Sequence, residues 1–108
     1  MGEQDDVYRV IVRGRFDGLD DGRRAALLAV ADEHDVLTSG TTDEGTLAYD
    51  RSLDFFSYRV RLTARDERAA QDAALRRAGA ALDVLGADYR GLKAVATNAS
   101  AIRVRRKR

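Results

Sequence analysis

The stretch LDFFSYRVRLTA, residues 53–64, alternates in character. Phe56, Tyr58, Val60 and Leu62 fall on one side, and Phe55, Ser57, Arg59 and Arg61 on the other. A period of two is the geometry of a strand. One apolar side and one mixed, basic side belong to a sheet covered on a single face. No other feature narrows the fold as much. The rest of the chain must cover one face of a sheet and leave the other open.

Two more segments carry the same alternation. In VYRVIVRG, residues 7–14, Tyr8, Val10 and Val12 oppose Arg9, Ile11 and Arg13. In YRGLKAVAT, residues 89–97, Leu92, Ala94 and Ala96 oppose Lys93, Val95 and Thr97. The segment VLTSGTTDEGTLAYD, 36–50, is extended on both sides of TTDEG and reads as either a hairpin or one long bulged strand. The cover comes from two helices. Ala26, Leu27, Val30 and Ala31 form a stripe at helical period over roughly 19–34, with acids at its start. In DERAAQDAALRRAGAALDVLG, residues 66–86, the stripe is Leu75, Ala78, Leu82 and Leu85. Thr63 and Asp66 stand at its entrance with the spacing of a capping box, Asp taking the Glu role. Asp72 and Arg76 are spaced to pair, and Gly86 is placed to end the helix.

The order is therefore β-α-β-β-α-β. It predicts an α+β, ferredoxin-like split βαβ fold, with four main antiparallel strands and two helices on one face. The expected core holds Leu27, Val30, Val60, Leu75, Leu82 and Leu85. A length of 108 residues suits a single domain over 1–108. Its acidic start, 1–6, and its basic end, 103–108, are expected to be flexible.

Composition removes several function classes. The chain has no cysteine and one histidine, His34, so thiolate and multi-histidine metal centres are excluded within one copy. No metal and no cofactor are expected. No apolar run approaches the ~20 residues of a membrane span. The start, MGEQDDVYR, has no hydrophobic signal core. A soluble, cytoplasmic protein without a membrane partner is expected. The net charge of +1 indicates no partner by itself. Of the 19 basic residues only Lys93 and Lys107 are lysines; a biased GC-rich coding composition accounts for this more simply than bidentate anion recognition does.

The loop GRFDGLDDGRR, residues 14–24, places Gly14 and Gly18 four apart between arginines. It resembles the phosphate loop of acylphosphatase, a small ferredoxin-like enzyme that hydrolyses acyl phosphates and carries G-x-V-Q-G-V-x-x-R. TTDEGTL resembles that family's second block, N-x-x-x-G-x-V, with Gly45 in place. The resemblance implies Arg23 as the phosphate-gripping residue and puts Thr41 where an asparagine orients the attacking water. The departures weaken that chemistry. Arg23 lies one residue too far along, Gly22 occupies the matching place, and Thr41 replaces the asparagine. Asp17, Asp20 and Asp21 crowd the loop with carboxylates, and each would repel a phosphate at ~4 Å by about 1 kcal/mol even in bulk water. The same acids suit the positive end of a helix N-terminus. The loop is thus read as a strand-to-helix turn. A non-catalytic domain is expected, with an acylphosphatase-like phosphohydrolase as the alternative.

Along almost the whole chain, the blocks VRGRFDGL, EGTLAYDR, LDFF and the terminal R-x-R-R resemble an uncharacterised family of small actinobacterial proteins. That resemblance implies no activity.

The open face of the sheet is the candidate binding surface. With the helices on the side of Tyr8, Val10 and Val12, it presents Arg9, Ile11, Arg13, Phe55, Arg59, Arg61, Lys93 and Val95. Apolar and basic side chains mixed in this way suit a homodimer formed sheet to sheet. Sheets that stack bases on aromatics make RNA the alternative partner. Other features have plainer readings. His34 suits a helix C-terminus. Asp43 and Glu44 diverge in a turn, and Tyr49 and Tyr58 belong to the core or its rim. Asn98-Ala99-Ser100 matches a glycosylation pattern with nothing to route the chain to a secretory compartment. The basic tail could touch phosphates.

Overall fold

The computed structural model describes residues 5–34 and 40–99. The first four residues, the start of the 36–50 segment, Ser100 and the basic tail lie outside them. Strand β1 spans Asp6–Phe16, helix α1 Asp21–Ala29, β2 Thr46–Tyr49, β3 Phe55–Ala64, α2 Glu67–Leu85 and β4 Tyr89–Asn98. The sheet order is β2-β3-β1-β4, and each neighbouring pair is antiparallel. This is the expected α+β, split βαβ arrangement.

Alternation works as the sequence indicates. Tyr8, Val10, Val12 and Phe16 of β1 and Phe56, Tyr58 and Val60 of β3 turn one side inward and are buried. Helix α2 covers that side. Its central row is Ala70, Ala74, Ala78 and Leu82, four apart and wholly buried. Leu75 and Leu85, expected in the stripe and the core, are partly buried at its flanks. The aromatic sheet supplies the bulk here, so methyl-sized side chains on the helix let it lie close.

Both ends of α2 are set locally. Asp66 is itself the cap: its carboxylate accepts from the Ala69 N–H at 2.8 Å. Thr63 lies in β3, so the expected capping box is replaced by this single-residue cap. Gly86 stops the helix with φ 69°, and the Ala87 N–H returns to the Leu82 carbonyl at 3.1 Å. Among the described residues the ion pairs are Arg51–Asp32 and Arg61–Asp43; Asp72 and Arg76 do not form one.

Helix α1 is shorter than predicted. It ends at Ala29, and a 3-10 turn follows over Ala31–His34. The buried Tyr49 hydroxyl donates to the Leu27 carbonyl at 2.7 Å. In a longer helix that carbonyl would serve the Ala31 N–H. Leu27 and Ala31 still reach the core, but Val30 sits half-buried at the break and Ala26 is exposed.

Over its described residues, 40–50, the 36–50 segment takes neither of the two expected forms. Thr42 makes one parallel bridge to Val60, the chain turns back through Asp43 to Gly45, and Thr46–Tyr49 pairs antiparallel with β3. Gly45 has φ 95°, and a Cβ there would collide with the Tyr58 ring. The Tyr58 hydroxyl donates to the Glu44 carbonyl at 3.2 Å. No helix among the described residues is long and apolar enough to cross a membrane.

Candidate binding face

The register fixes which side chains meet on the uncovered side. Arg9 pairs with Arg61 on β3 and Thr97 on β4; Ile11 with Arg59 and Val95; Arg13 with Ser57 and Lys93; Arg15 with Phe55 and Arg90. All eight residues expected on the open face are therefore there. Phe55 is 61% exposed and Val95 54%; Ile11 is half-buried.

Three rows set like charges directly opposite each other, Arg9 against Arg61, Arg13 against Lys93 and Arg15 against Arg90. Opposed like charges destabilise a sheet. Arg61 is answered by Asp43, Nε to Oδ1 at 2.8 Å. Asp43 sits in the turn that Arg77 of α2 holds by donating to the Asp43 and Glu44 carbonyls at 3.0 and 2.9 Å.

Arg15 and Arg90 enlarge the cationic set beyond the residues predicted. Arg15 lies one period past Arg13, because β1 continues to Phe16. Following the alternation two residues further would have found it. Arg90 could not be found that way. It is three residues from Lys93, an odd spacing that puts two side chains of a regular strand on opposite faces. The register slips between Arg13 and Arg15, and Gly91 opposite the slip has φ 69°. A bulge with its glycine in the left-handed region inserts one residue and restores the parity. Arg90 and Lys93 then share a face. With Arg13 and Arg15 they line a groove of about 440 Å³ whose remaining walls are Gly14, Phe55 and Gly91. No carboxylate lines it.

A second hollow adjoins the first and shares Arg13 and Phe55 with it. It lies over Ala48 and Ser57, small residues paired across β2 and β3, with Phe55 and Arg59 beside them. Asp50 also lines this hollow, but its carboxylate accepts from the Ser52 N–H and hydroxyl at 3.2 and 2.5 Å. The Arg59 Nε is buried and has no hydrogen-bond partner among the described residues. The Arg15 guanidinium lies 4.9 Å from the centre of the Phe55 ring.

The glycine loop is spent on structure. Gly14 belongs to the strand, where a Cβ would meet Phe56 at 2.7 Å and Leu92 at 2.8 Å. The Phe16 N–H donates to the Asp54 carbonyl and the Asp17 N–H to the Asp88 carbonyl, each at 3.0 Å. Asp20 caps α1 through the Arg23 N–H at 2.7 Å. The Arg23 guanidinium donates to the Leu85 carbonyl at 3.1 Å, at the negative end of α2. Thr41 precedes the turn held by Arg77, two helical turns from Leu85 or about 12 Å along α2, and no hydrogen bond among the described residues joins Thr41 to Arg23. His34 Nδ1 lies 2.8 Å from the Leu47 carbonyl, and its ring stacks on Tyr49 at 5.2 Å.

One family model matches residues 2–108, a family of unknown function, DUF6204. The chain belongs to that family. None of the curated proteins and none of the solved structures compared with it matches. The open face of the DUF6204 chain offers seven cations, one exposed aromatic ring and two adjoining hollows, and that arrangement suits the recognition of anions.

Proposed function

We propose that this DUF6204 protein is a non-catalytic, cytoplasmic binding domain whose open sheet face takes an anionic partner. The observation that carries the reading is the groove ringed by Arg13, Arg15, Arg90 and Lys93 with no carboxylate in its lining. Cations held close together repel, and an anion between them removes the repulsion. The absence of catalysis is supported by the loop. Its Phe16 and Asp17 N–H groups are bonded to backbone carbonyls, and Arg23 is engaged at the end of α2.

Inorganic polyphosphate is the direct probe. The protein should bind it at low salt, and the double variant Arg13→Ser, Lys93→Ser should lose most of that affinity while keeping its circular dichroism. Absence of binding by the unmutated protein at low salt sinks the reading.

Self-association through the same face is a second reading, favoured by the exposure of Phe55 and Val95. It sets the cations of two copies against each other, with Asp50 and Asp54 at the strand ends as the acids that could answer them. Sedimentation equilibrium at micromolar concentration separates the two readings. A dimer that Phe55→Asp splits supports self-association; a monomer that binds polyphosphate supports the first reading.

A further inference from the structure

Resting on the reading of the open face as an anion-binding surface, we propose that its occupant is a single-stranded nucleic acid. The strand lies along β1 and β3, with one base stacked on Phe55 and a phosphate in the groove between Arg13, Arg15, Arg90 and Lys93.

The first argument is spacing. Four successive rows cross the open face, and each contains at least one cation: Arg15 and Arg90, then Arg13 and Lys93, then Arg59, then Arg9 and Arg61. Rows on one face of a strand are two residues apart, about 6.7 Å. Successive phosphates of an extended single strand repeat at a comparable interval. The charges therefore form a track rather than a point, and a track fits a linear polyanion.

The second argument is Phe55. It stands at one end of the track, 61% exposed, with the Arg15 guanidinium 4.9 Å from its ring centre. A flat ring with a cation over one side is a platform for a base on its other side, and stacking on aromatics is the sequence-tolerant part of single-strand recognition. A duplex keeps its bases inside its own stack, so this ring selects against double strands. The third argument is Arg59. Its buried Nε–H has no partner among the described residues, and an unsatisfied donor is costly. A phosphate oxygen entering the hollow that Arg59 lines would give that donor a partner.

Fluorescence anisotropy tests this with a short oligouridylate, the matching oligodeoxythymidylate, a duplex RNA and inorganic polyphosphate. The single strands should bind more tightly than the duplex. Phe55→Leu should weaken single-strand binding about tenfold and leave polyphosphate binding unchanged. Because Phe55 is exposed, circular dichroism should be unaltered. Arg13→Ser should weaken every ligand and reduce the salt slope for single strands by about 0.7. A preference for ribose or deoxyribose identifies the natural source, and either supports the proposal. Equal binding of polyphosphate and single strands, with Phe55→Leu changing neither, overturns the nucleic-acid proposal and leaves the anion-binding face standing. Failure of every polyanion to bind at low salt overturns both.

Discussion

Leu82 is wholly buried under the sheet, so Leu82→Ala should cost roughly 2–5 kcal/mol by chemical denaturation. Val30 sits at the break after α1, half-buried, so Val30→Ala should cost clearly less than Leu82→Ala in the same assay. Comparable losses would contradict the placement of the break. Tyr49 gives a second residue-scale expectation. Burial raises the pKa of its hydroxyl above the ordinary value of about 10, and the charge of Glu33 raises it further. The folded protein thus holds this proton more tightly than the unfolded chain does. The stability from that difference is fully present below the unfolded pKa and is lost as pH rises through the folded one. Unfolding free energy should fall on the alkaline side of pH ~10, and Tyr49→Phe should flatten that fall. An equally steep decline in the variant would assign the effect to another group.

At the scale of elements, the strands were legible and the joints were not. Period-two alternation placed β1, β3 and β4 on the correct faces because a side chain's direction in a strand depends only on parity. It failed at Gly91, where one extra residue reverses parity, and so it missed Arg90. The length of α1 was illegible for a different reason. Its end coincides with the hydrogen bond from Tyr49 to the Leu27 carbonyl, a partner 22 residues away that no local pattern announces. Of the stripe read on α2, Ala78 and Leu82 lie in its buried row and Leu75 and Leu85 at its flanks. Packing against an aromatic sheet extends that row through Ala70 and Ala74, which a pattern weighted by large residues passes over. Helix α1 now carries a prediction of its own. Leu27 is its one fully buried side chain, and Arg23 ties its first turn to the end of α2. Elements with few buried contacts open locally. Amide exchange in α1 should be faster than in α2, and Arg23→Ala should speed it further without changing exchange in β1. Uniform protection across both helices would show that α1 opens only with the whole domain.

Across the whole molecule, the two faces of one sheet have separate tasks. The covered face carries the core, and the open face carries the charge. The eight predicted face residues were legible because both properties follow one alternation, whereas the hollows and the groove depend on which rows happen to be small. The bulge at Gly91 also bears on what the molecule avoids. Strand β4 is a ten-residue strand at the edge of the sheet. A long, regular edge invites another chain to add as a further strand, and bulges and charges discourage this. The extra residue that brings Arg90 beside Lys93 also bends and twists the edge where a straight strand from another copy would have to register. The device that completes the cationic groove therefore also makes that edge a poorer template for a further strand.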